Sequence, residues 1–139
     1  MHGFGNFRLG RTLLAAAACL ASILVCALPA LANMSPAHVD NLDKRAFALG
    51  EINGYLTMCG AASALHHRDI ITKEAKDAGA NGDQLQAAVY AFDKGLSAGA
   101  TAAPLQFKGC TKDFYAFLAQ KNEALGVLQK KWGDLLLNK

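Results

Sequence analysis

Apolar positions fall along the chain in several helical stripes, preceded by one uninterrupted apolar run. Between Leu13 and Ala32 there is no charged residue. Downstream, Ser35-Pro36 has the form of a helix start, with Ser as N-cap and Pro at the first helical position. Leu42, Leu49 and Leu56 then recur every seven residues, and Ile52 and Cys59 sit three residues after two of them. That is the apolar face of a helix, and it puts Cys59 on the buried side. Gly50, Gly54 and Gly60 weaken such a helix by about 1 kcal/mol each relative to Ala. Asn53-Gly54 also carries a turn signal. We read one long helix whose glycines allow close helix contact.

The pattern resets around His66-His67-Arg68-Asp69. Ile70, Ile71, Ala75 and Ala78 suggest a short second helix, ended by Gly79 with Asn81-Gly82 as the turn. Asp83, with Gln86 three residues on, is an N-cap candidate for a third helix. Leu85, Val89, Phe92 and Leu96 give that helix its stripe, and Gly99 closes it. A small-residue loop with Pro104 leads to Cys110. Thr111 caps the last helix, and Asp113 sits favourably in its first turn. Phe114, Leu118, Leu125, Leu128, Trp132 and Leu135 form its apolar face, interrupted by Lys121. At roughly 25 residues it would be about 38 Å long. No run alternates as a half-buried strand does. The expected class is all-α, a bundle of about four helices.

The leading run changes the picture of where the fold begins. Arg8 and Arg11 precede it, Pro29 breaks it, and Ala30-Leu31-Ala32 supplies an A-x-A site before Asn33. This is the three-part layout of a secretory signal peptide, with cleavage expected after Ala32. The competing reading is an uncleaved membrane anchor, since about 20 apolar residues can cross a bilayer. Removing 32 of the 139 residues leaves 33–139, room for a single helical domain with one modest core. The expected compartment is the periplasm.

Charge and cysteines follow from that cut. The chain carries 14 Lys+Arg and 11 Asp+Glu; only Arg8 and Arg11 lie before Asn33, so the remainder is nearly neutral. That gives no electrostatic footprint for nucleic acid. Of four cysteines, Cys59 and Cys110 remain. An even count in an exported chain predicts one disulfide between them. Chain entropy alone puts such a long closed loop at roughly 4 kcal/mol.

No residue constellation points to catalysis, a metal or a cofactor. His66 and His67 point about 100° apart on a helix and lack an HExxH partner. Cys59 and His66 are about 10.5 Å apart along a helix, too far for a nucleophile and its base. Tyr55, Met58 and His66 lack the CxxCH that would make a haem reading specific. Glu74 and Asp77, beside Lys73 and Lys76, form a solvated charged face. There is no G-x-S-x-G, P-loop or EF-hand loop.

The order Tyr55-Leu56-x-x-Cys59-Gly60, Phe92-x-x-Gly95, Cys110-Thr111 and a long terminal helix resembles a family of small exported alphaproteobacterial proteins with no assigned function. The likeness covers about residues 49–136. It implies a disulfide-tied helical domain in the periplasm, and no activity. Two cysteines about 50 residues apart, Cys110-Thr111-x-Asp113 and a basic tail carrying Trp132 give a fainter likeness to periplasmic acid-stress chaperones.

The leading expectation is a non-enzymatic exported protein acting through protein or envelope contacts, with an unknown protein partner or a second copy of itself. Membrane contact is expected only through an uncleaved N-terminal segment. The stripe Phe114, Leu118, Leu125, Leu128, Trp132 and Leu135 is either consumed by the bundle or free to dock a partner helix. Two alternatives are a small-ligand carrier, with an apolar cavity left by the many Ala and Gly residues, and an acid-stress chaperone switched by carboxylate protonation.

Overall fold

A computed structural model describes residues 33–61 and 64–138. The expected signal segment, 1–32, lies outside the described residues. Four helices follow one another: α1 Pro36–Thr57, α2 Ala64–Asp77, α3 Gly82–Gln106 and α4 Lys112–Leu137. The domain is an all-α bundle with a disulfide joining Cys59 to Cys110.

The helix ends are set by local chemistry. Ser35 caps α1, its Oγ accepting from the His38 N–H, with Pro36 at the first position. The chain leaves α1 through Gly60 at φ 65° and α2 through Gly79 at φ 87°. In both turns a backbone N–H reaches back five residues, from Ala61 to the Leu56 carbonyl and from Ala80 to the Ala75 carbonyl. These are left-handed glycine stops. Thr111 caps α4 as expected.

Three expectations about the ends are corrected. The N-cap of α3 is Asn81, not Asp83: Asn81 accepts from the Gln84 N–H, and the Gln84 side chain accepts from the Asn81 N–H. Helix α3 does not stop at Gly99 but runs to Gln106, with Pro104 in its last turn. Gly99 keeps ordinary helical φ because its bare Cα is used for packing, not for a turn. Cys59 is not on the buried face of α1; it lies in the turn beyond Thr57, half-buried. The disulfide therefore ties the end of α1, not its middle, to the start of α4.

Helix α1 is the hub. The backbones of α2, α3 and α4 all pack on it, and α2 also packs on α3. Helices α1 and α3 run parallel. At one end the Met34 N–H donates to Gln84 Oε1 and Gln84 Nε2 donates to the Met34 carbonyl, both at 3.1 Å. At the other, Tyr55 Oη donates to Gln106 Oε1 at 3.1 Å. Helices α2 and α4 run the opposite way to α1, as Asn53–His67 with Arg45–Glu74, and Glu51–Lys121 with His38–Leu135, require.

The α1–α3 seam is a glycine interlock. A methyl group built at Gly50 would lie 2.1 Å from the Phe92 carbonyl oxygen, and one at Gly54 2.2 Å from that of Leu96. The fit is reciprocal: a methyl group built at Gly95 would lie 2.1 Å from the Phe47 carbonyl oxygen, and one at Gly99 2.1 Å from that of Glu51. Two glycines four apart on each helix bring the backbones together, the device that small-xxx-small motifs use in membrane helix pairs. Two apolar clusters flank the seam. One gathers Leu42, Ala46, Ile71, Ala75, Phe92 and Trp132; the other gathers Ile52, Tyr55, Ala103, Phe114, Leu118 and Leu125.

Candidate functional site

The expected interaction stripe on α4 is where the bundle closes. Phe114, Leu118, Leu125 and Trp132 are buried, and Leu128 and Leu135 are half-buried. The first three join the cluster around Ile52 and Tyr55, while Trp132 joins the one around Leu42 and Phe92. Four of the six stripe residues thus pack into the bundle core. Lys121, its one polar break, holds both carboxylate oxygens of Glu51 at 2.9 Å. The break is thus a cross-link between α4 and α1.

The disulfide end of α4 is aromatic. Tyr55, Phe107, Phe114 and Phe117 meet edge-on or tilted, with centroids 4.8–6.3 Å apart. Such pairs add roughly 0.5–1.5 kcal/mol beyond their buried area. Beside them the Cys59 and Cys110 Cα atoms are 5.9 Å apart, the usual span for a disulfide.

The far end of α4 is polar inside. His38 Nε2 donates to the Leu135 carbonyl at 3.1 Å, since a carbonyl can only accept. In the neutral ring Nδ1 then accepts from Ser35 Oγ at 2.6 Å. The His38 ring meets Trp132 edge-on, and the Arg45 guanidinium lies 5.3 Å from the Trp132 ring centroid. Arg45 is 5% exposed and its Nη2 donates to Glu74 Oε2 at 2.8 Å. Its Nε and Nη1, and both polar atoms of the neighbouring Asn41, are buried without a protein partner. Nothing in the stripe pattern announced this seam. Its apolar periodicity pointed at Leu42 and Leu49, and Asn41 and Arg45 share that face.

Against the expectation of a purely solvated face, Glu74 is the counter-ion of a buried arginine. Asp77 does remain on the surface, paired with Lys73. The histidine pair separates in role. His66 is exposed. His67 Nδ1 donates to Asn53 Oδ1 at 3.0 Å, while Asn53 Nδ2 donates to the Leu49 carbonyl. Tyr55 is buried in the core. Among the described residues no three His, Cys, Asp or Glu side chains are grouped to hold a metal ion, and no helix is long and apolar enough to cross a membrane.

Two carboxylates on α1 are shifted in opposite directions. Burial, aided by the charge of Asp40, raises the Asp43 pKa above the ordinary 3.8, and its Oδ1 is buried without a protein partner. The hydrogen bond from Lys44 lowers that of Asp40.

No family model, curated protein or solved structure matches the chain.

Among the described residues, one free face lies on the outside of α3. Tyr90 and Leu105 stand 68% and 82% exposed on it. Between them Asp93, Lys94, Ser97, Ala98, Thr101 and Ala102 line an open, shallow trough, and Asp83, Gln86 and Ala87 continue it toward the start of the helix. Sequence reading missed this face because it weighed α3 only for its buried stripe. The available signal was two bulky apolar residues on the side opposite Phe92, separated by small ones.

Proposed function

We propose that this is an exported periplasmic protein of non-enzymatic type, working through protein contacts on the surface of a cross-linked helical bundle. The observation that carries the reading is the way Cys59 and Cys110 join two helix ends in a chain that opens with a signal-like segment. A disulfide there is useful in an oxidising compartment and of little use in a reducing one. The resemblance to small exported alphaproteobacterial proteins points the same way. The carrier alternative finds no support at the α1–α3 seam, where opposing backbone fills the space beside Gly50, Gly54, Gly95 and Gly99. The acid-chaperone alternative has one point in its favour: the Glu51–Lys121 bridge holding α4 depends on a carboxylate charge.

The test is a native mass spectrum of the protein purified from the periplasm without reductant. The reading expects a chain beginning at Asn33, two mass units short of the reduced form, with no small molecule attached. A chain confined to the cytoplasm with free thiols overturns it, and a ligand bound at fixed stoichiometry replaces it with the carrier. Suppression of client aggregation near pH 2–3 and not at pH 7 would replace it with the chaperone.

A further inference from the structure

We infer that α2 is a strap that lifts off as a unit while α1, α3 and α4 stay assembled, baring an apolar floor on α1 and α3. The inference goes beyond the contact reading above and holds whatever the compartment or the partner.

Topology makes α2 a return run. Helices α1 and α3 lie parallel, joined through Met34–Gln84 at one end and Tyr55–Gln106 at the other. The chain must therefore travel back along the bundle before α3 can start, and α2 makes that journey. The other three helices are fastened without it. Backbone contacts at Gly50, Gly54, Gly95 and Gly99 hold α1 to α3, and Cys59–Cys110 with Glu51–Lys121 holds α1 to α4. Helix α2 packs its backbone on α1 and α3 and not on α4. Its outer side, with Asp69, Lys73, Lys76 and Asp77, is exposed.

The inner side of α2 is held mainly by polar contacts. Of its 14 residues only Ile71 and Ala75 are buried, in the cluster with Leu42, Ala46 and Phe92. The remaining links are Arg45–Glu74 at 2.8 Å, Arg68–Asp93 at 2.9 Å and His67–Asn53 at 3.0 Å. Each arginine reaches its carboxylate through Nη2. Arg45 Nε and Nη1 and Arg68 Nε are buried without a protein partner. A buried unpaired donor weighs against the state that buries it. Lifting α2 returns these donors to water, which offsets part of what the two ion pairs contribute when closed. Few apolar contacts and compensated polar ones are the conditions under which a segment opens locally.

The chain is long enough for the motion. As a helix α2 spans about 21 Å, and the flanking residues 58–63 and 78–81 can extend about 33 Å more. The return itself covers roughly the length of α1, about 33 Å. Helix α2 can therefore swing clear, still helical and with both ends attached. The turns out of α1 and α2 pass through left-handed glycines, Gly60 and Gly79, at the element ends where hinges are placed. With the strap lifted, Leu42, Ala46 and Phe92 lose their cover. Arg45 and Asp93 are left as a free cation on α1 and a free anion on α3.

The test is hydrogen exchange, read by mass spectrometry on the full disulfide-bonded protein across a series of low urea concentrations. Amides of α2 should be about 100-fold or more less protected than those around Leu49 in α1 and Phe92 in α3. Their exchange should respond only weakly to urea, because a local opening exposes little surface. Asp93→Asn removes the half-exposed pair and should speed exchange in α2 about threefold. Glu74→Gln strips the buried Arg45 of its counter-ion and should speed it about tenfold. Both should leave the α1–α3 seam unchanged. Protection in α2 equal to that of α1 and α3 in the wild-type protein overturns the proposal. So does a loss of protection shared by all four helices in Asp93→Asn, the milder variant, whose fold does not depend on a buried charge.

Discussion

Two helices are fastened to α1 by opposite means. The α1–α3 seam is held by what is missing: four glycines let backbone touch backbone, and no side chain mediates at those points. The α1–α4 interface is held by what is added: Phe114, Leu118, Leu125 and Trp132, an ion pair between Glu51 and Lys121, and a covalent bond at Cys59–Cys110. The first arrangement tolerates no increase in size; the second tolerates change at any one contact because several share the load. Among the described helices α4 packs its backbone only on α1, so what fastens it there also decides whether it stays folded on the bundle.

The largest effect expected is on the covalent fastening. Replacing both Cys59 and Cys110 by Ser should lower the unfolding free energy by about 4 kcal/mol, the chain entropy of the long loop they close. Urea titration measures it. The comparison is sharper by hydrogen exchange on the Ser variant, where protection should fall first in α4 and last in α1 and α3. Equal loss in all four helices would mean that the two interfaces are not independent fastenings.

Next comes the seam. Gly50→Ala and Gly99→Ala each place a methyl group 2.1 Å from a carbonyl oxygen, and backbone cannot rotate out of the way. Each should cost about 3 kcal/mol, the upper end of overpacking, although alanine is the better helix former. Gly126→Ala in α4 is the control, since nothing lies within 4 Å of its added methyl. It should stabilise by up to about 1 kcal/mol. Thermal melts of the three variants give the sign directly, and a stabilising Gly50→Ala would end the interlock account.

Much of this fold was legible before any coordinates. The heptad leucines of α1, the Ser35-Pro36 start, the Gly79 stop, the Thr111 cap and the stripe from Phe114 to Leu135 are local signals, and local forces decide them. The disulfide was legible because only two cysteines remain after the leading segment. What escaped depends on partners far away in sequence. Gly99 has the composition of a helix end and the job of a contact, which only Glu51 across the seam reveals. Asp83 and Asn81 are both good caps; the Gln84 side chain, reaching back to the Asn81 N–H and on to Met34, decides between them. Glu74 reads as a solvated surface charge until the bundle sets it against the buried Arg45. The outer face of α3 left only a sparse signal, Tyr90 and Leu105 opposite Phe92, which the buried stripe overshadows.

The smallest effect expected lies on α1 itself, between the two fastenings. Asp43 has its pKa raised, first by burial and then by Asp40, and its Oδ1 has no protein partner. A carboxyl that is a weaker acid in the fold than in the unfolded chain binds its proton more tightly when folded. Its ionisation therefore works against folding above its raised pKa, and that penalty fades as pH falls toward the ordinary 3.8. Asp43→Asn should raise stability slightly at pH 7, by less than about 1 kcal/mol. The gain should shrink on acidification and vanish below about pH 3, where both chains are uncharged at that position. Urea midpoints of the two proteins from pH 7 to pH 3 follow the difference. A gain that stays constant, or grows with acid, would place the effect in packing on α1 rather than in the carboxylate charge, and would remove Asp43 from any account of how this bundle responds to acid.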